Sequence, residues 1–273
     1  MIKKHKHILY GLVIGICLLL IVYGLSKIFI REPFQNESRL IPKVIYQTWK
    51  TKDIPEGIQK KQQEMMQINP GYSLEIFDDA DIDAFIKDNF DEETYSAYTE
   101  LNVGAGKADF WRYCILYKRG GIYLDMDSTI IKPLDDIIGA NDSCVITREN
   151  NKGYFNQWIL IFQQGHPVLK EAIRECVENI KNKSSTDLIS LTGPGVFSRA
   201  INTSLLPYYN KGVENLYYES DEDLNGVLND PTKEYSSRFF GIDMNGHAVF
   251  KTDVADELYN NTTRWRYETK VFK

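Results

Sequence analysis

Short apolar runs alternate with stretches of helical spacing along the chain after its N-terminal segment. Apolar, β-branched and aromatic residues dominate 42–49 and 72–77 and predict two strands. Each run is followed by apolar residues at helical spacing, over 57–68 and 79–89, and Asn69-Pro70-Gly71 ends the first of these helices. This alternation of strand and helix predicts an α/β domain.

A third predicted helix covers 105–119, and apolar residues occupy nearly all of its sides, which indicates a buried element. The consecutive glycines Gly120 and Gly121 end it. Asp109 and Arg112 interrupt the apolar pattern, and because they are three residues apart they share one face. Two interpretations stay open: a local ion pair between partly buried charges, or a polar grip on the hydroxyls of a sugar.

The next apolar run, 122–124, leads directly into Asp125-Met126-Asp127. Alternate side chains of a strand share one side, so both aspartates would project together while Met126 packs in the opposite direction. Carboxylate oxygens suit Mg²⁺ or Mn²⁺, which keep several waters and take further ligands from substrate phosphates. At the carboxyl end of a strand in an open α/β sheet, this pair predicts a site for a metal and a nucleotide diphosphate conjugate.

The N-terminal segment predicts a membrane anchor. Residues 8–26 contain no charged side chain and are flanked by cationic residues, and a run of this length can span a bilayer. Because the run lacks a small-residue cleavage site, an anchor is favoured over a cleaved signal. The slightly stronger cationic cluster before the span favours a cytoplasmic N-terminus and a lumenal or extracytoplasmic bulk. The predicted organisation is a tip and transmembrane anchor at 1–31, a stem at 32–40 and one domain at 41–273.

Composition and charge narrow the classes of function. Aromatic residues make up 12% of the 273 residues, which is typical of a folded chain. Outside residues 1–31 there are 27 Lys and Arg against 38 Asp and Glu, a net charge of −11. A nucleic-acid-binding domain would present a basic face, so this composition argues against that class. The four cysteines form no Cys-x-x-Cys motif, so no zinc site is indicated. One bridge among the three outer cysteines stays open, and buried thiols are the expected alternative.

Three segments together resemble a known family. They are Ile-Pro-Lys-Val-Ile-Tyr-Gln-Thr-Trp at 41–49, Lys-Ala-Asp-Phe-Trp-Arg-Tyr-Cys-Ile-Leu-Tyr-Lys-Arg-Gly-Gly-Ile-Tyr-Leu-Asp-Met-Asp at 107–127, and Leu-Thr-Gly-Pro-Gly at 191–195. The combination is similar to the DXD-containing sugar transferases (glycosyltransferase family 32), which include yeast-type α-1,6-mannosyltransferases and inositol phosphoceramide mannosyltransferases. The resemblance implies a GT-A (Rossmann-like) fold, a nucleotide-sugar donor, Mn²⁺ or Mg²⁺, retention of anomeric configuration and a membrane-anchored, Golgi-like location.

The resemblance also implies roles for individual residues. Asp127 would ligate the metal directly, and Asp125 would hold the ribose or a metal-bound water. Asp109 and Arg112 would hold the donor sugar, and these four residues form the implied catalytic set. Further donor-binding positions are implied near the first strand and at a later turn: Gln47, Trp49, Thr192, Gly193 and Pro194. Two of these assignments have open alternatives, because Trp49 could be a core aromatic that closes the strand and the turn could be only a helix start.

The sequence departs from the family pattern at two places. Tyr46 stands where the first strand usually carries His, and the family's C-terminal His and Ser-Trp element is not plainly present. The candidates for that missing contribution to the metal site are His247, Asn260, Asn261, Arg264 and Trp265.

The first hypothesis is therefore an anchored glycosyltransferase that uses GDP-mannose, or next a UDP-hexose, and a glycan or glycolipid acceptor. One alternative is a haloacid-dehalogenase-type phosphatase with Asp125 as nucleophile, since 123–130 also resembles that signature. That signature normally opens a domain, whereas here structured sequence precedes it. Another alternative is a membrane-tethered sugar-binding pseudoenzyme.

Overall fold

The computed structural model describes residues 39–148, 153–209, 212–218, 237–240, 250–251 and 270–273. The strands are β1 (Val44–Thr48), β2 (Ser73–Phe77), β3 (Gly121–Leu124), β4 (Thr129–Ile130), β5 (Cys144–Thr147), β6 (Ile159–Phe162), β7 (Ser237–Phe240) and β8 (Phe250–Lys251). The α-helices are α1 (Glu56–Ile68), α2 (Asp79–Asn89), α3 (Glu92–Glu100), α4 (Gly104–Arg119), α5 (Pro167–Lys181), α6 (Leu188–Leu191) and α7 (Pro194–Leu205). Short 3₁₀ turns lie at Leu134–Asp136, Leu206–Tyr208 and Leu216–Tyr218.

Six of these strands form one mixed sheet in the order β2-β1-β3-β6-β5-β7. β1 pairs in parallel with both β2 and β3, and β6 runs antiparallel between β3 and β5. β1 and β3 are therefore neighbours, and their carboxyl ends meet at one edge of the sheet. That edge is where ligands bind in open α/β folds.

Alternate residues of the central strands pack against opposite layers. On β3, Tyr123 joins the core cluster that contains the apolar residues of α4, α5 and α7, whereas Ile122 and Leu124 join a second cluster with Met65 of α1. All four β3 residues are buried. The near-continuous apolar strands are thus explained by a sheet that is covered on both faces.

The predicted α/β fold is confirmed, and five predicted elements lie within two residues of the observed bounds. One detail of the prediction was wrong: β3 ends at Leu124, so Asp125-Met126-Asp127 forms a turn after the strand rather than its last residues. The predicted span at 8–26 lies outside the described residues. Within the part of the chain that the structure covers, no helix is both long and apolar enough to cross a membrane. Cys114, Cys144 and Cys176 are buried free thiols, as expected.

Gly120 and Gly121 are required where α4 turns into β3. Their φ angles are +66° and +108°, which side chains rarely adopt. A Cβ atom at Gly120 would lie 2.7 Å from the backbone nitrogen of Gln164, and one at Gly121 would lie 2.8 Å from the carbonyl oxygen of Val44. The pair therefore permits both the reversal and the close approach of β1, which sets the position of the aspartates that follow.

We expect His166 to make the stability of the domain depend on pH. It is fully buried at the start of α5, its Nδ1 accepts a hydrogen bond from the Val168 N–H at 3.3 Å, and burial lowers its pKa to about 3. Between pH 6.5 and 3 the unfolded chain therefore holds a proton that the folded protein lacks. The free energy of unfolding should fall as pH drops below 6.5, by about 1.4 kcal/mol per pH unit from this group.

Replacing His166 with Asn keeps a capping acceptor and removes the titration. Between pH 7 and 5 the free energy of unfolding of His166→Asn should fall by about 2 kcal/mol less than that of the wild type, measured by urea unfolding. Carboxyl groups with raised pKa, such as Asp109 and Asp127, act in the opposite direction, but they are common to both proteins. Parallel pH profiles would contradict the prediction.

Candidate active site

The Asp-x-Asp segment forms a tight turn at the carboxyl end of β3. The Asp125 N–H donates to the carbonyl of Trp158 at 2.8 Å, and the Asp125 carbonyl accepts from the Ser128 N–H at 3.0 Å. Met126 is 5% exposed and packs with Ile54 and Ile58, as its predicted inward direction requires. The turn is thus fixed through its backbone and one apolar side chain, and Asp125 and Asp127 flank that side chain in the sequence.

Arg112 of α4 connects two aspartates. Its Nη2 lies 3.1 Å from Asp109 Oδ1 and 3.1 Å from Asp125 Oδ1, and its side chain is 7% exposed. Its Nη1 donates to the carbonyl of Gln157 at 2.8 Å. The guanidinium carbon lies 4.5 Å from the centre of the Tyr123 ring. The predicted pair between Asp109 and Arg112 therefore exists, and it extends to the first aspartate of the motif.

The Asp125 carboxylate is held from a second direction as well. The Tyr123 hydroxyl donates to Asp125 Oδ1 at 2.6 Å. Burial raises the pKa of Tyr123 well above its ordinary value, so the hydroxyl keeps its proton for this bond. Among the described residues, Arg112 and Tyr123 both contact Oδ1 of this carboxylate, and Oδ2 remains for a ligand.

Asp109 and Asp127 carry carboxylates that ionise with difficulty. Burial raises the pKa of Asp109 to about 6, against the opposing effect of the Arg112 charge. Burial, and then the charge of Asp125, raise the pKa of Asp127 to about 6. The Ser128 hydroxyl donates to Asp127 Oδ1 at 3.3 Å. Because desolvation and like charge both oppose its ionised form, Asp127 is a carboxylate that a cation would stabilise.

The Thr192-Gly193-Pro194 turn reaches the same site. Thr192 Oγ1 donates to Asp109 Oδ2 at 3.1 Å. Gly193 is the N-terminal cap of α7 and Pro194 its first residue, and a Cβ atom at Gly193 would lie 2.8 Å from the Leu188 carbonyl oxygen. The turn is therefore a helix start, as the simpler interpretation held, and it also contacts a predicted sugar-binding side chain.

Gln47 and Trp49 lie on the other side of the Asp-x-Asp turn. Gln47 is 1% exposed, and its Nε2 donates to the Asp125 carbonyl at 3.3 Å. Trp49 packs against the small apolar cluster that contains Met126. Among the described residues, the structure thus brings the predicted donor-binding and Asp-x-Asp side chains to one edge of the sheet, and the contacts of Gln47 and Trp49 with a donor remain predictions.

The chemistry of these side chains fits a hard divalent cation. Asp125 and Asp127 offer carboxylate oxygens, which Mg²⁺ and Mn²⁺ prefer. Among the described residues, no group of three or more His, Cys, Asp or Glu could hold a metal ion. A two-carboxylate site suits an ion that takes its remaining ligands from water and phosphate. The proposed C-terminal contributors lie outside the described residues: His247, Asn260, Asn261, Arg264 and Trp265.

Sequence reasoning missed three polar residues that surround the site. Tyr123 could have been found, because strand periodicity places it on the same side as Asp125. Gln157 donates through Nε2 to the Tyr113 hydroxyl at 2.5 Å and to the Thr192 carbonyl at 3.1 Å, but no local motif marks it. Gln62 appears in sequence as one of several glutamines on a helix, and only the fold shows that it is buried.

The site combines a mixed α/β sheet with an Asp-x-x-Arg helix and an Asp-x-Asp turn at one strand edge, which is the arrangement that the sequence resemblance to DXD-containing sugar transferases implies. Residues 55–144 match the family described as "Glycosyltransferase sugar-binding region containing DXD motif". This match confirms the resemblance seen in the sequence over that region.

Curated relatives extend the similarity beyond the motif. The chain is 29% identical over 208 residues to the initiation-specific alpha-1,6-mannosyltransferase of Candida albicans, which covers 61% of this chain and 54% of the relative. It is 33% identical over 149 residues to inositol phosphoceramide mannosyltransferase 3 of Schizosaccharomyces pombe, covering 55% of this chain and 41% of the relative. The chain thus spans about half the length of these two relatives.

A solved structure shares the fold. The PaToxG glycosyltransferase matches with a TM-score of 0.53 at 20% sequence identity, over 62% of this chain and 72% of that one. At this identity the similarity concerns the arrangement of sheet and helices alone.

Proposed function

We propose that this protein is a metal-dependent, retaining glycosyltransferase of GT-A architecture that moves a hexose from a nucleotide sugar to a glycan or glycolipid. The observation that carries the proposal is the ion-pair system at the sheet edge, where Arg112 lies 3.1 Å from both Asp109 and Asp125. It joins the helix predicted to hold a sugar to the turn predicted to hold a metal. A local helix pair alone would not include Asp125.

The contacts support a division of roles between the two aspartates of the motif. Asp125 Oδ1 is already engaged by Arg112 and Tyr123, which suits a residue that holds the ribose or a metal-bound water. The Asp127 carboxylate accepts the longer Ser128 contact at 3.3 Å, which suits a direct metal ligand. A bound Mn²⁺ or Mg²⁺ would supply charge neutralisation at the diphosphate as the glycosidic bond breaks.

Asp109 and Arg112 would bind and orient the donor sugar. Asp109 accepts from Thr192 and pairs with Arg112, so its carboxylate is held from two directions. Arg112 is a rigid fork that donates in fixed directions. Such pre-organised groups lower the barrier by holding the reacting carbon in place without later rearrangement.

No protein base is required for a retaining transfer of this kind. His166 is fully buried at the start of α5, where its Nδ1 accepts the Val168 N–H, and it does not belong to the site. The departing phosphate can accept the proton of the acceptor hydroxyl on the same face of the sugar. The residues of the chain would then bind, orient and exclude water.

The phosphatase alternative leaves much of the site without a task. It would use Asp125 as a nucleophile, yet Oδ1 of that residue accepts from Tyr123 and pairs with Arg112. It also gives no role to Asp109 or to Thr192, which contact one another at 3.1 Å. The donor assay distinguishes the binding-only alternative from an enzyme.

The donor assay tests the proposal. The two relatives from Candida albicans and Schizosaccharomyces pombe are named mannosyltransferases, so GDP-mannose is the first donor to test and UDP-hexoses are the next. Release of nucleoside diphosphate from one sugar nucleotide should require Mn²⁺ or Mg²⁺ and should stop when EDTA is added. Metal-dependent cleavage of a phosphate monoester with no release from any donor would move the assignment to a phosphatase. Donor binding without release under every acceptor would indicate a pseudoenzyme.

We also propose that the chain is a single-pass membrane protein, with residues 8–26 as anchor, the N-terminus in the cytoplasm and the catalytic domain in a Golgi-like lumen or outside the cell. The support is the uncharged span and its cationic flanks. Protease protection of the full chain in sealed vesicles tests this orientation: a protected domain supports it and a digested domain contradicts it.

A further inference from the structure

Two buried glutamines lie beneath the Asp-x-Asp turn. Gln47, near the end of β1, is 1% exposed, and Gln62, on α1, is 9% exposed. Three apolar side chains, those of Ile58, Met65 and Met126, line the same small pocket together with Lys61, Ser128 and Thr129. Burying an amide is unfavourable unless its hydrogen bonds are made inside the protein. The presence of two buried amides here, rather than two apolar side chains, therefore needs an explanation.

The hydrogen bonds of the two amides form a chain that ends at the turn. Gln47 Nε2 donates to the Asp125 carbonyl at 3.3 Å, and Gln62 Nε2 donates to Gln47 Oε1 at 2.8 Å and to Met126 Sδ at 3.4 Å. The direction of the chain follows from chemistry. The Asp125 carbonyl can only accept, so the NH₂ group of Gln47 must face it, which turns Gln47 Oε1 toward Gln62.

The Asp125 carbonyl has a second task in this turn. It also accepts the Ser128 N–H at 3.0 Å, the bond that closes the loop around Met126 and Asp127. Gln47 thus holds the acceptor atom of the turn, and Gln62 holds both Gln47 and the side chain of Met126. Gln47 therefore contacts the backbone of the turn directly, and Gln62 acts on the turn through Gln47 and through the Met126 side chain.

We infer that Gln62 and Gln47 are positioning residues, which fix the spacing of the Asp125 and Asp127 carboxylates for the metal ion. The inference rests on the proposed function, because it presumes that these carboxylates bind the metal. It gives Gln47 a role that does not require contact with the donor. Partners of this kind, one layer behind metal ligands, change metal affinity when they are replaced.

The test uses two variants and one control. Gln62→Met keeps the length of the side chain but leaves Gln47 Oε1 buried without its donor, so it should lower both the melting temperature and the Mn²⁺ affinity. The double variant Gln47→Met with Gln62→Met removes both partners, and it should recover most of the lost stability because no buried polar atom is left unpaired. Gln63→Met changes the adjacent exposed residue and should leave both quantities unchanged.

Mn²⁺ affinity separates positioning from packing. With GDP or UDP present, electron paramagnetic resonance should show that Mn²⁺ binds the double variant about tenfold more weakly than the wild type, even though the melting temperature has recovered. Because Gln47 is also a predicted donor contact, the affinity for GDP and UDP is measured without metal as well, and it should be the same in the two proteins. Wild-type affinity in the stable double variant would overturn the inference and leave the proposed function standing. A wild-type protein that binds no Mn²⁺ would overturn both. Reduced Mn²⁺ affinity with unchanged nucleotide affinity in the double variant supports the inference even where no sugar transfer is detected, whereas reduced nucleotide affinity without metal would overturn it in favour of a donor contact by Gln47.

Discussion

Asp127→Ala should lower sugar transfer about a thousandfold without weakening the fold. A metal at a diphosphate contributes several kcal/mol of charge stabilisation, and each 1.36 kcal/mol corresponds to a factor of ten in rate. In the metal-free protein the carboxylate is disfavoured by burial and by the Asp125 charge, which raise its pKa to about 6. Removing it therefore relieves an unfavourable charge, so the free energy of unfolding should stay equal or rise.

Thermal unfolding with and without Mn²⁺ provides the second measurement for this prediction. An ion that binds only the folded state raises the melting temperature. Adding Mn²⁺ in the presence of GDP should therefore raise the melting temperature of the wild type and not that of Asp127→Ala. Asp136→Ala is the matched control, since Asp136 is exposed in the 3₁₀ turn that follows β4. Transfer at wild-type rate by Asp127→Ala would refute the assignment of Asp127 to the metal.

The sequence predicted the first half of the sheet because its signals there are local. Apolar periodicity and turn residues placed β1, α1, β2, α2 and α4 within two residues of their observed bounds. The pairing order could not be obtained in this way. β6 is inserted between β3 and β5 in the sheet although it follows β5 in the chain, and such a non-consecutive order depends on tertiary packing.

The candidate site was predicted as a set of residue types, and the structure supplied the contacts among them. Asp109 and Arg112 share a face through simple helix geometry, but the contact of Arg112 with Asp125 arises only because α4 covers the face of β3 that carries Tyr123. The strand argument for the two aspartates failed because β3 ends at Leu124. Met126 still points into packing, since the turn that replaces the strand is anchored by that side chain.

Polar residues without a motif were beyond sequence reasoning. Gln157 lies in the segment before β6 and contacts the site in two ways. Its backbone carbonyl accepts a hydrogen bond from Arg112, and its side-chain amide donates one to Tyr113. Any residue has such a carbonyl, so nothing in the sequence marks it. Buried amides are recognised only when the surrounding elements are in place.

Arg112→Ala should cause the largest loss of stability among the site variants, about 3–5 kcal/mol. A buried ion pair that loses one partner leaves an uncompensated charge, and here Asp109 and Asp125 would both lose the same cation. Arg119→Ala is the matched control on the same helix. Its pair with Glu75, at 3.4 Å, joins side chains that are 46% and 43% exposed, and such a pair contributes about 1 kcal/mol at most.

Arg112→Lys separates the charge from the geometry of the guanidinium. Lysine keeps a cation near the two carboxylates, so much of the stability should remain, but a single ammonium group cannot reproduce the fork that meets Asp109, Asp125 and the Gln157 carbonyl together. Transfer should therefore fall about a hundredfold in a protein that still unfolds cooperatively. Equal rates for Arg112→Lys and the wild type would show that the site needs only the charge, and the proposed grip on the donor sugar would then be wrong.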